Sequence, residues 1–313
     1  MKTLTRLASL TAPNGSKWRT LAWAVPGGIL LLAIVVLAAK LLRTLPDVQS
    51  FIIEFPGETQ LPANAPVGLP SWLAWQHFLN ALFIMLIIRT GIQVRTVQRP
   101  AAYWTRNNSG PIRTKGRPAK ISLDLWLHLT MDFLWVLNGL VFFVLIFATG
   151  QWMRIVPTHW EVLPNALSAA LQYASLQWPT ENGWVNYNSL QVLAYFLTVF
   201  IAAPLAIITG LRMSGAWPKS TAKLNMVYPI EVARAIHFPV MLYFAGFIIV
   251  HVTLVASTGL LRNLNHMYGS RDGESWDGFW IFAASVAVMI ALWLFARPVF
   301  LRPVAALTGS VTR

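Results

Sequence analysis

The chain has 313 residues, 56% of them hydrophobic and only 11% charged, with a mean hydropathy of +0.56. A soluble domain carries about 25% charged residues, so this composition excludes an ordinary soluble fold and makes lipid the main solvent. Lys and Arg number 24 against 11 Asp and Glu, a net charge of +13, yet no aromatic-rich basic run or zinc-finger spacing goes with the excess, which excludes nucleic acid as the partner and leaves loop charge that orients a membrane protein. Cysteine is absent, so disulfides, cysteine-held iron–sulfur clusters and covalently attached haem are excluded as well.

Six stretches are long and apolar enough to span a bilayer: roughly 21–42, 72–94, 124–149, 189–211, 231–258 and 278–300. The fold class expected is an all-α integral membrane protein of six transmembrane helices. Lys2, Arg6, Lys17 and Arg19 precede the first stretch in the manner of a signal peptide. With Met1 at the start, a retained span is expected.

The connections alternate in charge. Asp47, Glu54 and Glu58 lie in 43–71, whereas 95–120 carries Arg95, Arg99, Arg106, Arg113, Lys115, Arg117 and Lys120 without an acid. Segment 150–188 holds Glu161 and Glu181, 212–230 holds Arg212, Lys219 and Lys223, and 259–277 mixes Arg262 and Arg271 with Asp272, Glu274 and Asp277. The positive-inside bias then places both termini and the loops 95–120 and 212–230 in the cytoplasm.

Four spans are punctuated by Thr-Gly, at Thr90-Gly91, Thr149-Gly150, Thr209-Gly210 and Thr258-Gly259. Helix capping by glycine is the plain reading. An arginine follows each within four residues: Arg95, Arg154, Arg212 and Arg262. Each either anchors in headgroups or meets a cofactor carboxylate.

Four histidines fall inside spans. His237 and His251 are fourteen residues apart on span five, which leaves them about 40° apart on one helix face and about 21 Å apart along the axis. His77, near the outer end of span two, matches the depth of His251, and His128, near the inner end of span three, matches His237. Intramembrane ionisable groups are rare and usually functional, and two depth-matched imidazole pairs suit bis-histidine haem iron, which transfers electrons and leaves no open coordination site. Zinc would want a third and fourth ligand near each pair. Gly139 and Gly246 are expected to let a flat macrocycle approach the backbone, and Pro239 removes a helical hydrogen bond beside His237.

These residues carry a resemblance. "WQHFLNALFIMLIIRTGI" (75–92), "LWLHLTMDFLWVLNGLVFFVLIFATGQW" (125–152), "YNSLQVLAYFLTVFIAAPLAIITGLRMS" (187–214) and "VARAIHFPVMLYFAGFIIVHVTLVASTGLLRNL" (232–264) resemble the dihaem cytochrome b membrane subunits of bacterial respiratory oxidoreductases. Formate dehydrogenase, nickel–iron hydrogenase and thiosulfate reductase have such subunits, the thiosulfate-reductase type being the most similar and often paired with molybdopterin oxidoreductases. The resemblance implies a four-helix dihaem core with two haem b, ligated by His77–His251 and His128–His237. It also implies the bacterial inner membrane and electron transfer between the quinone pool and an extracytoplasmic catalytic or electron-carrier subunit. The chain would then be an electron-transfer subunit rather than the catalytic one.

The expected organisation is an N-terminal tail, extra span and outward loop in 1–70, the dihaem core in 71–260, and an outward loop, sixth span and cytoplasmic tail in 261–313. Arg154 and Arg262 outside, and Arg89, Arg95 and Arg234 inside, are candidate contacts for haem carboxylates. Quinone is expected beside His128–His237, near Arg234 and Lys223. The outward segments with Trp152, Trp160, Trp178, Trp184 and Trp276 serve either as a docking platform or as a headgroup belt. Two rivals stand beside this reading. One is a haem-free, proton-coupled transporter using the histidines as a relay, although few acids (Asp124, Asp132, Glu231) accompany them. The other is a self-contained transmembrane reductase serving a soluble acceptor.

Overall fold

The computed structural model describes residues 15–109, 118–178, 182–218 and 221–313. Lys2, Arg6, Arg113, Lys115, Arg117, Glu181 and Lys219 lie outside the described residues. The elements in chain order are α1 (Gly15–Leu42), α2 (Pro46–Glu54), α3 (Ser71–Thr96), β1 (Tyr103–Arg106), β2 (Lys120–Ser122), α4 (Leu123–Ala148), α5 (Val162–Ala174), α6 (Ser189–Phe196), α7 (Ala203–Met213), α8 (Ala222–Val227), α9 (Ile230–Ser257), α10 (Leu260–Leu264), α11 (Asp277–Phe295), α12 (Pro298–Ala306) and β3 (Gly309–Thr312). A 3-10 turn covers Gln151–Arg154, and π-helical turns cover Leu197–Ala202 and Asn265–Gly269.

Six helical stretches have the length and apolar content of membrane spans: Ala22–Leu42, Ser71–Thr96, Leu123–Ala148, Ser189–Met213, Ile230–Ser257 and Asp277–Phe295. Each expected span is present. The fourth is one rod made of α6, a π turn and α7, with Pro204 in the first turn of α7. The sixth stops at Phe295, short of the expected 300. Pro298 forces the residue before it into extended backbone, and Arg297 sits at φ −120, ψ 152, where α12 restarts. Exposed leucines, isoleucines and phenylalanines cover these helices, as lipid-facing surface should.

The chain forms two compact units. Among the described residues the smaller comprises 15–59, 159–178 and 188–190. In it the polar stripe of α5 binds loop backbone: Asn165 Oδ1 accepts from Gly57 N at 2.9 Å, and Gln172 Nε2 donates to the Pro56 carbonyl at 2.9 Å. Arg43 donates to Ser175 Oγ at 2.7 Å. Sequence reading took this segment as part of an aromatic platform and did not resolve the helix.

The larger unit holds α3, α4, α7, α9 and α11. Helix α3 packs along α4, and α7 along α9. Trp135 Nε1 of α4 donates to Asn80 Oδ1 of α3 at 3.0 Å. Ser122 caps α4 by accepting from Leu125 N at 3.2 Å. At the basic end, β1 pairs antiparallel with both β2 and β3 in the order β2-β1-β3, with Tyr103 opposite Ser122 and Thr312. Ala102, Leu123 and Ala305 form a small core beneath this sheet, and Trp104 Nε1 donates to the Ala305 carbonyl at 3.0 Å. A second core, Ala202, Val240 and Phe244, packs with Ile84, Ile88 and Trp135 in the middle of the bundle.

Candidate haem site

The larger unit brings the four span histidines together in two pairs. The rings of His77 and His251 have centroids 6.2 Å apart, and those of His128 and His237 are 6.5 Å apart. Two imidazoles binding one metal through a nitrogen each, at about 2 Å, have ring centroids about 6.3 Å apart. Both separations therefore leave room for a single metal ion between the rings. Among the described residues no group of three or more His, Asp or Glu side chains gathers as a metal site. Each pair can supply two ligands, which matches a metal that brings its remaining donors in a planar macrocycle.

The second nitrogens explain how the rings are aimed. Thr90 Oγ1 donates to the Leu86 carbonyl at 2.7 Å, so it accepts from His128 Nδ1, 3.0 Å away. Thr209 Oγ1 donates to the Leu205 carbonyl (2.6 Å) and accepts from His237 Nδ1 at 2.8 Å. His128 Nδ1 also lies 3.2 Å from the Ile87 carbonyl. With the proton held on Nδ1, the Nε2 lone pair of both rings is left as a ligand. Asp132 Oδ2 stands 3.6 Å from His128 Nε2, beyond hydrogen-bonding distance.

Thr90 and Thr209 are fully buried. They were read from sequence as helix ends, but α3 continues to Thr96 and α7 to Met213. The glycines that follow them serve the same rings. A Cβ on Gly91 would stand 3.2 Å from His128 Cε1, and one on Gly210 would stand 3.7 Å from His237 Cε1. Only Thr149 and Thr258 occupy helix ends, with Gly150 and Gly259 beyond them at φ 75 and 123. A Cβ on Gly139 would meet nothing within 4 Å among the described residues, and Gly139, eleven residues after His128, lies on the same face of α4. Gly246 is exposed. Nine residues from His237, it lies half a turn from the histidine face and so does not flank the pairs.

At the other pair, His77 Nδ1 is 3.3 Å from Tyr268 Oη. His251 stacks on Phe247, with centroids 5.6 Å apart and planes at 6°, and meets the edge of Tyr195. Burial pushes the Tyr268 phenol up to about 12, so it stays a neutral hydroxyl.

The expected arginines divide. Arg154 is 1% exposed and donates to the carbonyls of Gly68 (2.7 Å) and Gly183 (2.6 Å), with its guanidinium over the Tyr187 ring. Among the described residues its Nε is buried without a partner. Arg154 and Arg262 both lie close enough to His266 to oppose its protonation. Arg95 lies over the Phe238 ring, 4.0 Å away, next to His237. Arg234 and Lys223 are exposed. Arg89, a candidate for either a haem carboxylate or a headgroup, caps the end of α11 through the carbonyls of Trp293 and Ala296. Of the expected platform, only Trp160 (88%) and Trp276 (57%) are exposed. Trp184 packs on Gly68 and His266, Trp152 stacks on Phe147, and Trp178 donates to the Tyr173 carbonyl.

Beyond the spans, His266 Nε2 meets Asp272 Oδ1 at 2.8 Å. Burial, first, holds the imidazole below its ordinary 6.5, and the hydrogen bond from His266, first, holds the Asp272 carboxyl below its ordinary 3.8. In both cases the unfolded chain binds protons more readily, so the stability of this loop rises with pH and is lost on acidification. Protection factors, corrected for the pH dependence of intrinsic amide exchange, are expected to fall in peptides covering 265–273 as pH drops from about 7 to about 5. Equal protection across that range would show that the pair carries no such linkage.

A bundle of apolar spans with half-buried, pre-aimed imidazole pairs defines a membrane cytochrome of the b type. The family described as prokaryotic cytochrome b561 matches residues 69–270, well over half the chain, and the chain belongs to that family. It is thus a multi-pass membrane haem protein for electron transfer. Over 202 residues it is 26% identical to a protein of Azospira oryzae named as a protein-methionine-sulfoxide reductase subunit, YedZ1, which covers 60% of this chain and 89% of that protein. No solved structure matches.

Proposed function

We propose that the chain is a dihaem electron-transfer subunit of a respiratory complex, passing electrons between the quinone pool and an extracytoplasmic partner. Residues 71–260 form its dihaem core, flanked by 1–70 and 261–313. His77–His251 and His128–His237 each hold one haem b, which supplies one-electron transfer with no open coordination position. The observation that carries the reading is the pair of imidazole couples, at ring separations of 6.2 and 6.5 Å, two levels apart on α9.

The protein's own part is to hold these rings and exclude water. Thr90 and Thr209 keep protons on Nδ1, and the apolar core of Val240, Phe244 and Trp135 fills the space between the two levels. Arg154 and Arg262 supply cationic surroundings near His77–His251, and Arg95 and Arg234 near His128–His237. Quinone is placed beside His128–His237, within reach of the exposed Arg234 and Lys223. The positive-inside pattern puts that level and both termini at the cytoplasmic side of the inner membrane. The relative's name, a reductase subunit, supports a catalytic partner chain, which this reading places outside and, by the resemblance above, makes of molybdopterin type.

The test combines a pyridine haemochrome assay with quinol reduction in proteoliposomes. About two haem b per chain, reducible by a quinol and reoxidised only by an acceptor outside, is the expected result. A well-folded chain without haem would overturn the reading and favour a proton relay of histidines.

A further inference from the structure

The His128–His237 rings find their Nδ1 acceptors within the spans. His77 finds its acceptor elsewhere. Tyr268 belongs to the π turn Asn265–Gly269, which follows α10. Its ring stands edge-to-face on His77, with centroids 5.6 Å apart and planes at 87°, and its hydroxyl is 3.3 Å from Nδ1.

The turn is held from several sides. Asn265, 2% exposed, donates to the Gly273 carbonyl at 3.0 Å and accepts from Ser275 Oγ at 2.9 Å. Gly278 packs so tightly that a Cβ there would stand 2.4 Å from Asn265 Cα. His266 is tied to Asp272, and the Tyr268 ring packs on Phe282 with centroids 5.4 Å apart. Closing a short loop between two helices does not demand this much fixation. A phenol that must meet an imidazole nitrogen at one angle does demand it.

We propose that Tyr268 is a positioning residue for His77, fixing the plane and tautomer of that imidazole and, as a weaker acceptor than the threonines, lowering the potential of the haem held there less than they lower that of its neighbour. This rests on the proposed His77–His251 ligation. The phenol oxygen shares its lone pair with the ring and accepts less strongly than the threonine hydroxyls at His128 and His237. His77 is therefore the less electron-rich ligand and favours the ferric state less.

The experiment is a redox titration with low-temperature EPR on the intact chain carrying Tyr268→Phe. Haem content is expected to stay at the native value. The higher-potential haem is expected to shift upward as the remaining acceptor is lost, with a changed ferric signal reporting a rotated imidazole, while the other haem is unmoved. A His77→Leu chain identifies which signal belongs to that pair. If neither potential nor signal of that haem moves in Tyr268→Phe, the positioning role is overturned, whereas a native chain with no haem overturns the ligation itself. Should Tyr268→Phe fail to fold, Gly278→Ala displaces the mount while leaving His77, His128, His237 and His251 unsubstituted. It must shift the same EPR signal, and an unshifted signal refutes the proposal.

Discussion

His128→Leu is expected to leave the chain with half its haem. The proposed pairing gives each haem one ligand from α9 and one from α3 or α4, so loss of His128 should empty only the His128–His237 site. His77→Leu should empty only the other. A leucine fills the volume of an imidazole without a nitrogen, and the four-helix packing around Val240 and Phe244 is untouched. The measurement is haem-to-protein stoichiometry together with the split of the reduced α-band. Loss of both haems from His128→Leu, in a chain that still migrates as a folded species, would refute separate pairs. Retention of both would refute His128 as a ligand.

The second large effect is expected from Thr209→Val. Valine keeps the shape and removes the acceptor, leaving His237 Nδ1–H half-buried and unpaired, a cost of up to about 1–3 kcal/mol. Loss of such a partner to a metal-binding histidine typically weakens metal affinity about 10–100-fold. Thr90→Val should be milder, because His128 Nδ1 keeps the Ile87 carbonyl at 3.2 Å. Among the described residues His237 Nδ1 has no such second carbonyl. Haem release in the presence of a haem-scavenging apoprotein ranks the three chains. Equal release from Thr209→Val and native protein would show that the threonine does not orient the ring.

The six spans were legible in the sequence because twenty consecutive apolar residues admit few structures other than a membrane helix. The histidine pairs were legible because a helix converts a spacing of fourteen into one face and two depths. Thr90 and Thr209 were misread for an equally physical reason. Thr-Gly is a helix-ending signal in water, but inside a membrane the helix carries on, and the threonine satisfies itself against its own carbonyls. The signal that could have found them was depth, since Thr90 lies level with His128 on the neighbouring span. The arginines were less legible. A guanidinium reaches far enough to choose among several partners, so Arg89 ends on α11 and Arg154 on the carbonyls of Gly68 and Gly183. The sheet was illegible because β1 and β3 are paired across most of the chain's length, and neither strand has enough residues to show a pattern. Tyr268 is too far from His77 in sequence for any spacing rule to join them.

Helix α9 bears one member of both histidine pairs. During synthesis His77 and His128 enter the membrane early, each with an open partner position, and their mates arrive together on a single later helix. Under the proposed ligation neither haem can be closed in before α9 inserts, and after it inserts both can. Under that ligation cofactor loading depends on the fifth span, and a chain truncated before it would be colourless.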